Sequence, residues 1–430
     1  MPIVGRQNAA MWDPLGVKLI ADLDIAKLDF WERPVSERHE AFAWLREQER
    51  PLFFAQPKVP LARAGKGFHA LVRHADVTEA SRNGAVFANS PAVTNPEPPK
   101  WVKYIYGDSL ENKDAPEHTR LRRIVSRAFA PRMMARLEEH MRRRAEEAVS
   151  ALAAAGPGDF VELVTQTYTT HVVCDLLGIP DADRPQVLRW VRDTVEYQAV
   201  RSDPKGMLRH AAKNTRATFG LRNLVIRLGR ERRKEPGDDV ISALACADVE
   251  GERLTGMELG AFFLLLVVAG IDTPGHTMSH ALALLSEHPD QRELLLSDYD
   301  RYMPGAVDEI VRYASPITQL QRTVTAEYEL RGQRLAPGDK VVLFYNSANR
   351  DERVFTDPDV FDISRGPNPH VAFGGPGAHY CLGAHLAKRE LTVLFQELFT
   401  RLPDVRLAAP PEPMVSTFNN AIRRLPVTFS

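Results

Sequence analysis

Apolar residues recur along most of this chain at the three- and four-residue spacing of an amphipathic helix, broken by glycine and proline pairs. Residues 36–49 predict a first helix, 52–54 and 68–72 short strands, and a second helix begins at His74 and ends near Gly84. From 132 to 236, Ala, Leu, Arg and Glu keep helical spacing. Breaks at Gly156-Pro157-Gly158, Gly178-Ile179-Pro180 and Asp203-Pro204 separate several helices there. Thr255 with Glu258 makes a capping box for the longest helix, carried to about Glu287 ahead of His288-Pro289. About 30 residues at 1.5 Å each reach about 45 Å, enough to cross a whole domain.

The first half of that helix is apolar on nearly every side, which predicts burial. Ala269-Gly270-Ile271-Asp272-Thr273-Pro274-Gly275 then places an acid, a hydroxyl, two glycines and a proline inside it. Pro274 cannot donate to the carbonyl of Gly270, so the ladder opens and a kink is expected. An interior proline costs about 3 kcal/mol, which argues that the opening has a use. The plainer reading is a structural kink with Asp272 satisfied by a neighbouring cation. Further on, 319–324 reads as a strand, and 327–334 with 339–345 as a small antiparallel sheet joined through Pro337-Gly338. Residues 414–420 read as a turn reaching back to the interior and 425–429 as a final strand.

Length allows more than one domain, but no linker supports a split: the Pro-rich segment 91–99 is short and runs straight into Trp101, Tyr104, Ile105 and Tyr106. The chain, 1–430, therefore reads as a single large domain, mainly α with small β-sheets. A formal net charge of −1 gives no ground for a nucleic-acid partner. Three widely spaced cysteines, Cys174, Cys246 and Cys381, fit a reducing cytoplasm better than a disulfide framework. The first residues lack a secretion-signal pattern, and the longest apolar run, 261–271, falls short of the roughly 20 residues that span a bilayer. No membrane anchor is expected.

One stretch concentrates the chemistry. Phe373-Gly374-Gly375-Pro376-Gly377-Ala378-His379-Tyr380-Cys381-Leu382-Gly383 puts a cysteine after a glycine-rich loop and before an apolar-periodic helix beginning near Leu382. The glycines let backbone approach a flat ligand, and the helix start is expected to favour thiolate, the form that binds a metal. Asp114 as N-cap, Pro116 in the first turn and Glu117 mark another helix start, on which His118 and Arg122 share a face. Glu309 and Arg312 form a Glu-x-x-Arg on a helix that stops before Ser315-Pro316.

Gly-x-His-x-Cys-x-Gly, Ala-Gly-x-Asp-Thr, Glu-x-x-Arg and the His118/Arg122 helix follow one another as in the cytochrome P-450 monooxygenases, which this chain resembles over most of its length. The resemblance implies that fold, with haem b (iron protoporphyrin IX) between the long helix and the cysteine-loop helix. It implies Cys381 as the axial iron ligand, and His118, Arg122, Arg322 and His379 as holders of the haem propionates, with Gly383 in the same cofactor-binding loop. Gly270 would leave room for dioxygen, Thr273 would bond to it and Asp272 would relay protons. Glu309 and Arg312 would be a buried structural pair tied to residues 349–355. The loop 87–110 would cover the substrate.

Two departures stand out: Phe373 and Cys381 are one residue further apart than is usual in the family, and Pro274 replaces a frequent second threonine. The implied reaction inserts one atom of O2 into a small apolar organic substrate. Three segments, 374–381, 264–270 and 347–352, look like actinobacterial hydroxylases of branched lipids and sterol side chains. With no flavin or iron-sulfur motif in the chain, electrons would come through ferredoxin and ferredoxin reductase, docking at a basic patch of Arg120, Arg123, Arg127, Lys388 and Arg389. A peroxide-driven haem enzyme would fit the same loop but not the Asp272-Thr273 pair, and a haem-based sensor would need neither that pair nor a redox partner.

Overall fold

In the computed structural model, which describes residues 23–57, 65–98, 109–128, 131–195, 204–247, 251 and 253–430, helices carry most of the chain. The longer ones are α1 (Val35–Glu47), α2 (His74–Arg82), α3 (Glu117–Ala128), α4 (Pro131–Ala155), α5 (Gln166–Leu177) and α6 (Arg184–Val195). They continue with α7 (Pro204–Lys234), α8 (Val240–Cys246), α9 (Gly256–Glu287), α10 (Pro289–Ser297), α11 (Tyr299–Ala314) and α12 (Ala384–Arg401). Trp101, Tyr104, Ile105 and Tyr106 lie outside the described residues.

The capping box of α9 forms as its residues predict: Thr255 Oγ1 accepts the Glu258 amide at 3.2 Å, and the Glu258 carboxylate accepts the Thr255 amide at 2.8 Å. Phe262, Phe263, Val267, Ile271, Met278 and Leu282 bury α9 in the main core, where it packs against α5, α7, α11 and α12. By length and mean hydropathy, 1.7, α9 could cross a membrane; its burial against four helices explains the same composition as that of a core element. It runs through Pro274 without interruption, so the expected opening is limited to the one amide that proline lacks.

Five strands form the larger sheet, β1 (Phe53–Ala55), β2 (Gly67–Leu71), β3 (Phe87–Ala88), β4 (Gln319–Val324) and β5 (Lys340–Phe344), in the order β1-β2-β5-β4-β3. The pairing expected between 327–334 and 339–345 is not what forms. Tyr328–Leu330 pairs instead with Gln333–Leu335. Arg331 and Gly332, at φ 48 and 73, supply the two positive-φ positions of a tight hairpin turn, and this frees β5 to pair antiparallel with β4 and parallel with β2. The C-terminal turn behaves as expected: Glu412–Met414 pairs with Ala421–Arg424, and Asn420 O meets His280 of α9 at 3.0 Å. The last strand, Pro426–Thr428, pairs with Gly158–Asp159 and Arg406–Leu407.

Glu309 and Arg312 are completely buried and joined by two hydrogen bonds, at 2.7 and 2.8 Å. Arg312 also donates to the carbonyls of Asn349 and Pro358, while Glu309 accepts from Arg365, Asn368 and the Asp362 amide. Every charged atom of the pair thus has a partner, the condition under which buried charges are tolerated. The network clamps α11 to the segment that leads into the cysteine loop.

Candidate functional site

The cysteine loop is held from both sides. The Cys381 amide donates to Phe373 O at 2.9 Å, closing the loop in spite of its extra residue. Gly377 has φ 149, and a side chain there would sit 2.2 Å from the Ser81 carbonyl of α2, so only glycine fits. The helix that follows starts at Ala384 rather than near Leu382, with Gly383 as its N-cap and open space where a Gly383 side chain would lie. Cys381 is surface-accessible yet lies deep in the fold, and burial pushes its thiol pKa up; the Gly383 amide and the Arg122 charge pull it down by less. The helix start alone therefore does not make the thiolate expected from sequence. A metal cation would be needed to displace the proton.

Around the cysteine the structure brings together the four predicted cationic or imidazole groups. His118 is 2% exposed, its Nε2 has no hydrogen-bond partner, and its ring lies 4.0 Å from that of His379. Burial, His118, Arg322 and Arg122, in that order, push the His379 pKa down to about 3. Arg122 donates to Tyr380 O at 2.7 Å, and Arg322, 3% exposed, donates to Gln321 O at 2.8 Å. Among the described residues neither arginine has an ion pair. Crowded positive groups with an orphan imidazole nitrogen call for an anion, and two carboxylates would satisfy them. Asp114 is not the expected N-cap: its carboxylate accepts from the amides of Asn89 and Ser90 at 2.8 and 3.0 Å, tying the 89–90 loop to the entrance of α3.

Along α9 runs an unusual stripe. Leu265, Leu266, Ala269, Asp272, Thr273, His276 and His280 share one face at helical spacing, and none is fully buried although Val267, Ile271, Met278 and Leu282 on other faces are. Val268, beside them, is 44% exposed. The face is apolar in its first half and polar in its second. Asp272 meets no cation among the described residues, and burial raises its pKa to about 7. At Gly270 a side chain would sit 3.0 Å from Val173 Cγ2, so glycine lets α9 approach α5. Its carbonyl is the one Pro274 leaves without an intrahelical donor. His276 and His280, both held neutral with pKa values pushed by burial to about 4, were not singled out from the sequence. Their spacing of four and seven residues from Asp272 and Thr273 was the available signal.

The expected basic patch is largely neutralised. Arg120 pairs with Glu258, Arg389 with Glu138, and Lys388 with Asp308 at 2.5 Å. Arg123 is on the surface, and the side chain of Arg127 lies outside the described residues.

The family profile "Cytochrome P450" matches residues 84–403. The chain belongs to the cytochrome P450 family. It is 41% identical over 415 residues, 96% of this chain and 95% of the relative, to the methyl-branched lipid omega-hydroxylase of Mycobacterium tuberculosis. It is 37% identical, over 94% of this chain and 92% of the relative, to the steroid C26-monooxygenase of Mycolicibacterium smegmatis. Among solved structures, a Mycobacterium marinum cytochrome P450 in complex with pseudoionone superposes with a TM-score of 0.86 at 37% identity, covering 98% of this chain and all of that one. The cytochrome P450 fold, a monooxygenase activity and haem b as cofactor follow from these matches. The unpartnered cations and the accessible cysteine fit that cofactor.

Proposed function

We propose that this cytochrome P450 hydroxylates elongated, largely apolar molecules, branched lipids or steroid side chains, with electrons passed from a ferredoxin reductase through a ferredoxin in the cytoplasm. The whole chain, 1–430, serves as one catalytic domain. The observation that carries the substrate class is the α9 wall: Leu265, Leu266, Val268 and Ala269 stay accessible on a helix otherwise packed into the main core, in a chain 41% identical to a methyl-branched lipid omega-hydroxylase.

Haem b, when bound, supplies the activation of O2, one oxygen atom entering a substrate C–H bond and the other leaving as water. Cys381 would hold the iron through its sulfur, losing the thiol proton on binding. His118, Arg122, Arg322 and His379 would hold the two carboxylates of the cofactor. Apolar side chains of α9 exclude water from the substrate. Asp272, poised near neutrality, takes protons from solvent and passes them toward the Thr273 hydroxyl, and the free Gly270 carbonyl accepts a hydrogen bond from a water on that route.

Titration of the ferric protein with branched lipids, steroids and small polar compounds tests this reading. Lipids or steroids should shift the Soret band to the blue and support NAD(P)H-dependent hydroxylation with ferredoxin partners. A shift produced only by small polar molecules would refute it. Cys381→Ser should abolish the thiolate spectrum of the reduced carbon monoxide complex and all turnover.

A further inference from the structure

The mechanism uses nothing on the outer face of α7. Lys and Arg recur along the whole of that helix, and Glu231 is its one acid. Ala217, Leu221, Leu224, Val225 and Leu228 turn inward and are buried. At 3.6 residues per turn, Lys213, Arg216, Arg227, Arg230 and Lys234 fall within an arc of about 100° on the solvent side, and all five are exposed. Arg227 is neutralised by Asp183 at 2.7 Å and Glu231 at 3.3 Å. Among the described residues, the side chains of Lys213, Arg216, Arg230 and Lys234 make no ion pair or hydrogen bond. Lys234 suits the negative end of the helix dipole, but the other three lie outside the last turn and gain nothing from it. The row covers about 32 Å of helix. It is an unopposed positive face on a chain whose total charge is −1, and it suits an extended anionic partner.

The kind of partner follows from place and composition. An electron donor has to approach the cysteine, whose helix α12 packs mainly on α4, α9 and α11; α7 packs mainly on α6, α8 and α9, so the row stands apart from that approach. Phe219, 38% exposed, stands on the solvent side with the cations. A phosphodiester backbone has no use for an exposed aromatic ring there, whereas a helix lying on a bilayer sinks such a ring below the headgroups that its cations attract.

We infer that the outer face of α7 is a docking surface for a bilayer that bears anionic headgroups, on which the enzyme rests without inserting a helix. Lys213, Arg216, Arg230 and Lys234 meet the headgroups, and Phe219 enters the boundary beneath them. This goes beyond the lipid and steroid reading: it says where the enzyme would meet such molecules, and its test needs no substrate.

Sedimentation of the holoenzyme with vesicles measures the partition. A cation near an anionic membrane contributes about fivefold. At low salt the protein should therefore prefer vesicles of equal phosphatidylglycerol and phosphatidylcholine to phosphatidylcholine alone by at least about 100-fold. The preference should vanish near 1 M salt, where the Debye length falls to about 3 Å. Arg216→Gln combined with Arg230→Gln should lower the partition about 25-fold. Arg216→Lys combined with Arg230→Lys should keep it, because a bilayer reads charge rather than the guanidinium fork. Arg334→Gln removes an exposed cation from the 328–335 hairpin and should leave the partition unchanged, which separates this face from net charge. Phe219→Ala should weaken binding while leaving its salt dependence in place. All these positions are exposed, so each variant should keep the native Tm and thiolate spectrum. Equal partition onto the two vesicle types, or a double glutamine variant that partitions like the native protein, overturns the inference. So does a double variant that keeps its vesicle partition but is reduced more slowly by ferredoxin, which makes the row a protein-docking face, or tighter binding of duplex DNA than of anionic vesicles. The lipid reading is decided separately, by which molecules shift the Soret band.

Discussion

Asp272 differs from an ordinary buried carboxylate in having no cation to hold it ionised, so burial alone sets its pKa near 7. At that value both protonation states are populated at neutral pH, which suits a group that must accept a proton and release it within one turnover. As the proton donor it works protonated, so product formation per electron consumed should fall as pH rises through about 7. Asp272→Asn should flatten that limb and lower the rate by about 10²-fold, the usual contribution of a positioned acid. A profile identical to the native one would remove Asp272 from proton delivery. Glu390 on α12 is a second such group: 1% exposed, Oε2 unpartnered, its pKa raised by burial to about 8. Its folded pKa lies above its unfolded value, so the folded chain binds the extra proton. The stability it contributes is full below about 4.3 and is lost as pH rises toward 8. Glu390→Gln should therefore stabilise the protein by about 4 kcal/mol above pH 7 and by only about 1 kcal/mol at pH 5. Thermal melts at the two pH values decide the point.

At the scale of elements, the Glu309–Arg312 pair shows how one local motif fixes long-range geometry. Removing the guanidinium takes two hydrogen bonds and one of two nearby cations from a fully buried carboxylate, leaving it with Arg365, Asn368 and the Asp362 amide. Arg312→Ala should thus cost about 3–5 kcal/mol, read as a lowered Tm and reduced haem incorporation. Elements whose signals are local were legible in the sequence. The capping box gave the start of α9, His288-Pro289 its end, and the left-handed Gly178 the end of α5, at φ 66. What misled was pairing. The 339–345 strand was assigned to the hairpin beside it, because sequence shows the turn residues Pro337-Gly338 but not the partners β2 and β4, which lie far away along the chain. Asp114 failed for a related reason, since a competing pair of amides from the 89–90 loop captured the carboxylate that local sequence offered to the helix. Cys381, His118, Arg122, Arg322 and His379, picked out by the family resemblance, are brought together in the fold. The burial that raises the Asp272 pKa was not legible, because it depends on what distant segments fail to provide.

For the molecule as a whole, charge is balanced in total, −1, and around the cysteine also in place. The cations expected to attract an electron donor at the cysteine side are largely engaged: Arg389 by Glu138, Lys388 by Asp308, Arg120 by Glu258. Paired charges cast a weak field beyond a Debye length, about 8 Å at physiological salt. Encounter with an acidic ferredoxin should consequently depend on fit more than on steering. Stopped-flow reduction of the ferric protein should slow by less than about threefold between low and physiological salt, where steered pairs change by tenfold or more. Glu138 is the control point, its carboxyl held down to about 2 by Arg389 and Arg142. Glu138→Gln frees both guanidiniums at little cost in stability, because the pairs are half-exposed. The variant should therefore be reduced faster by an acidic donor at low salt and acquire a steeper salt dependence. If it gains neither, Arg389 lies outside the docking surface. If the native protein already slows tenfold with salt, cations other than these three do the steering.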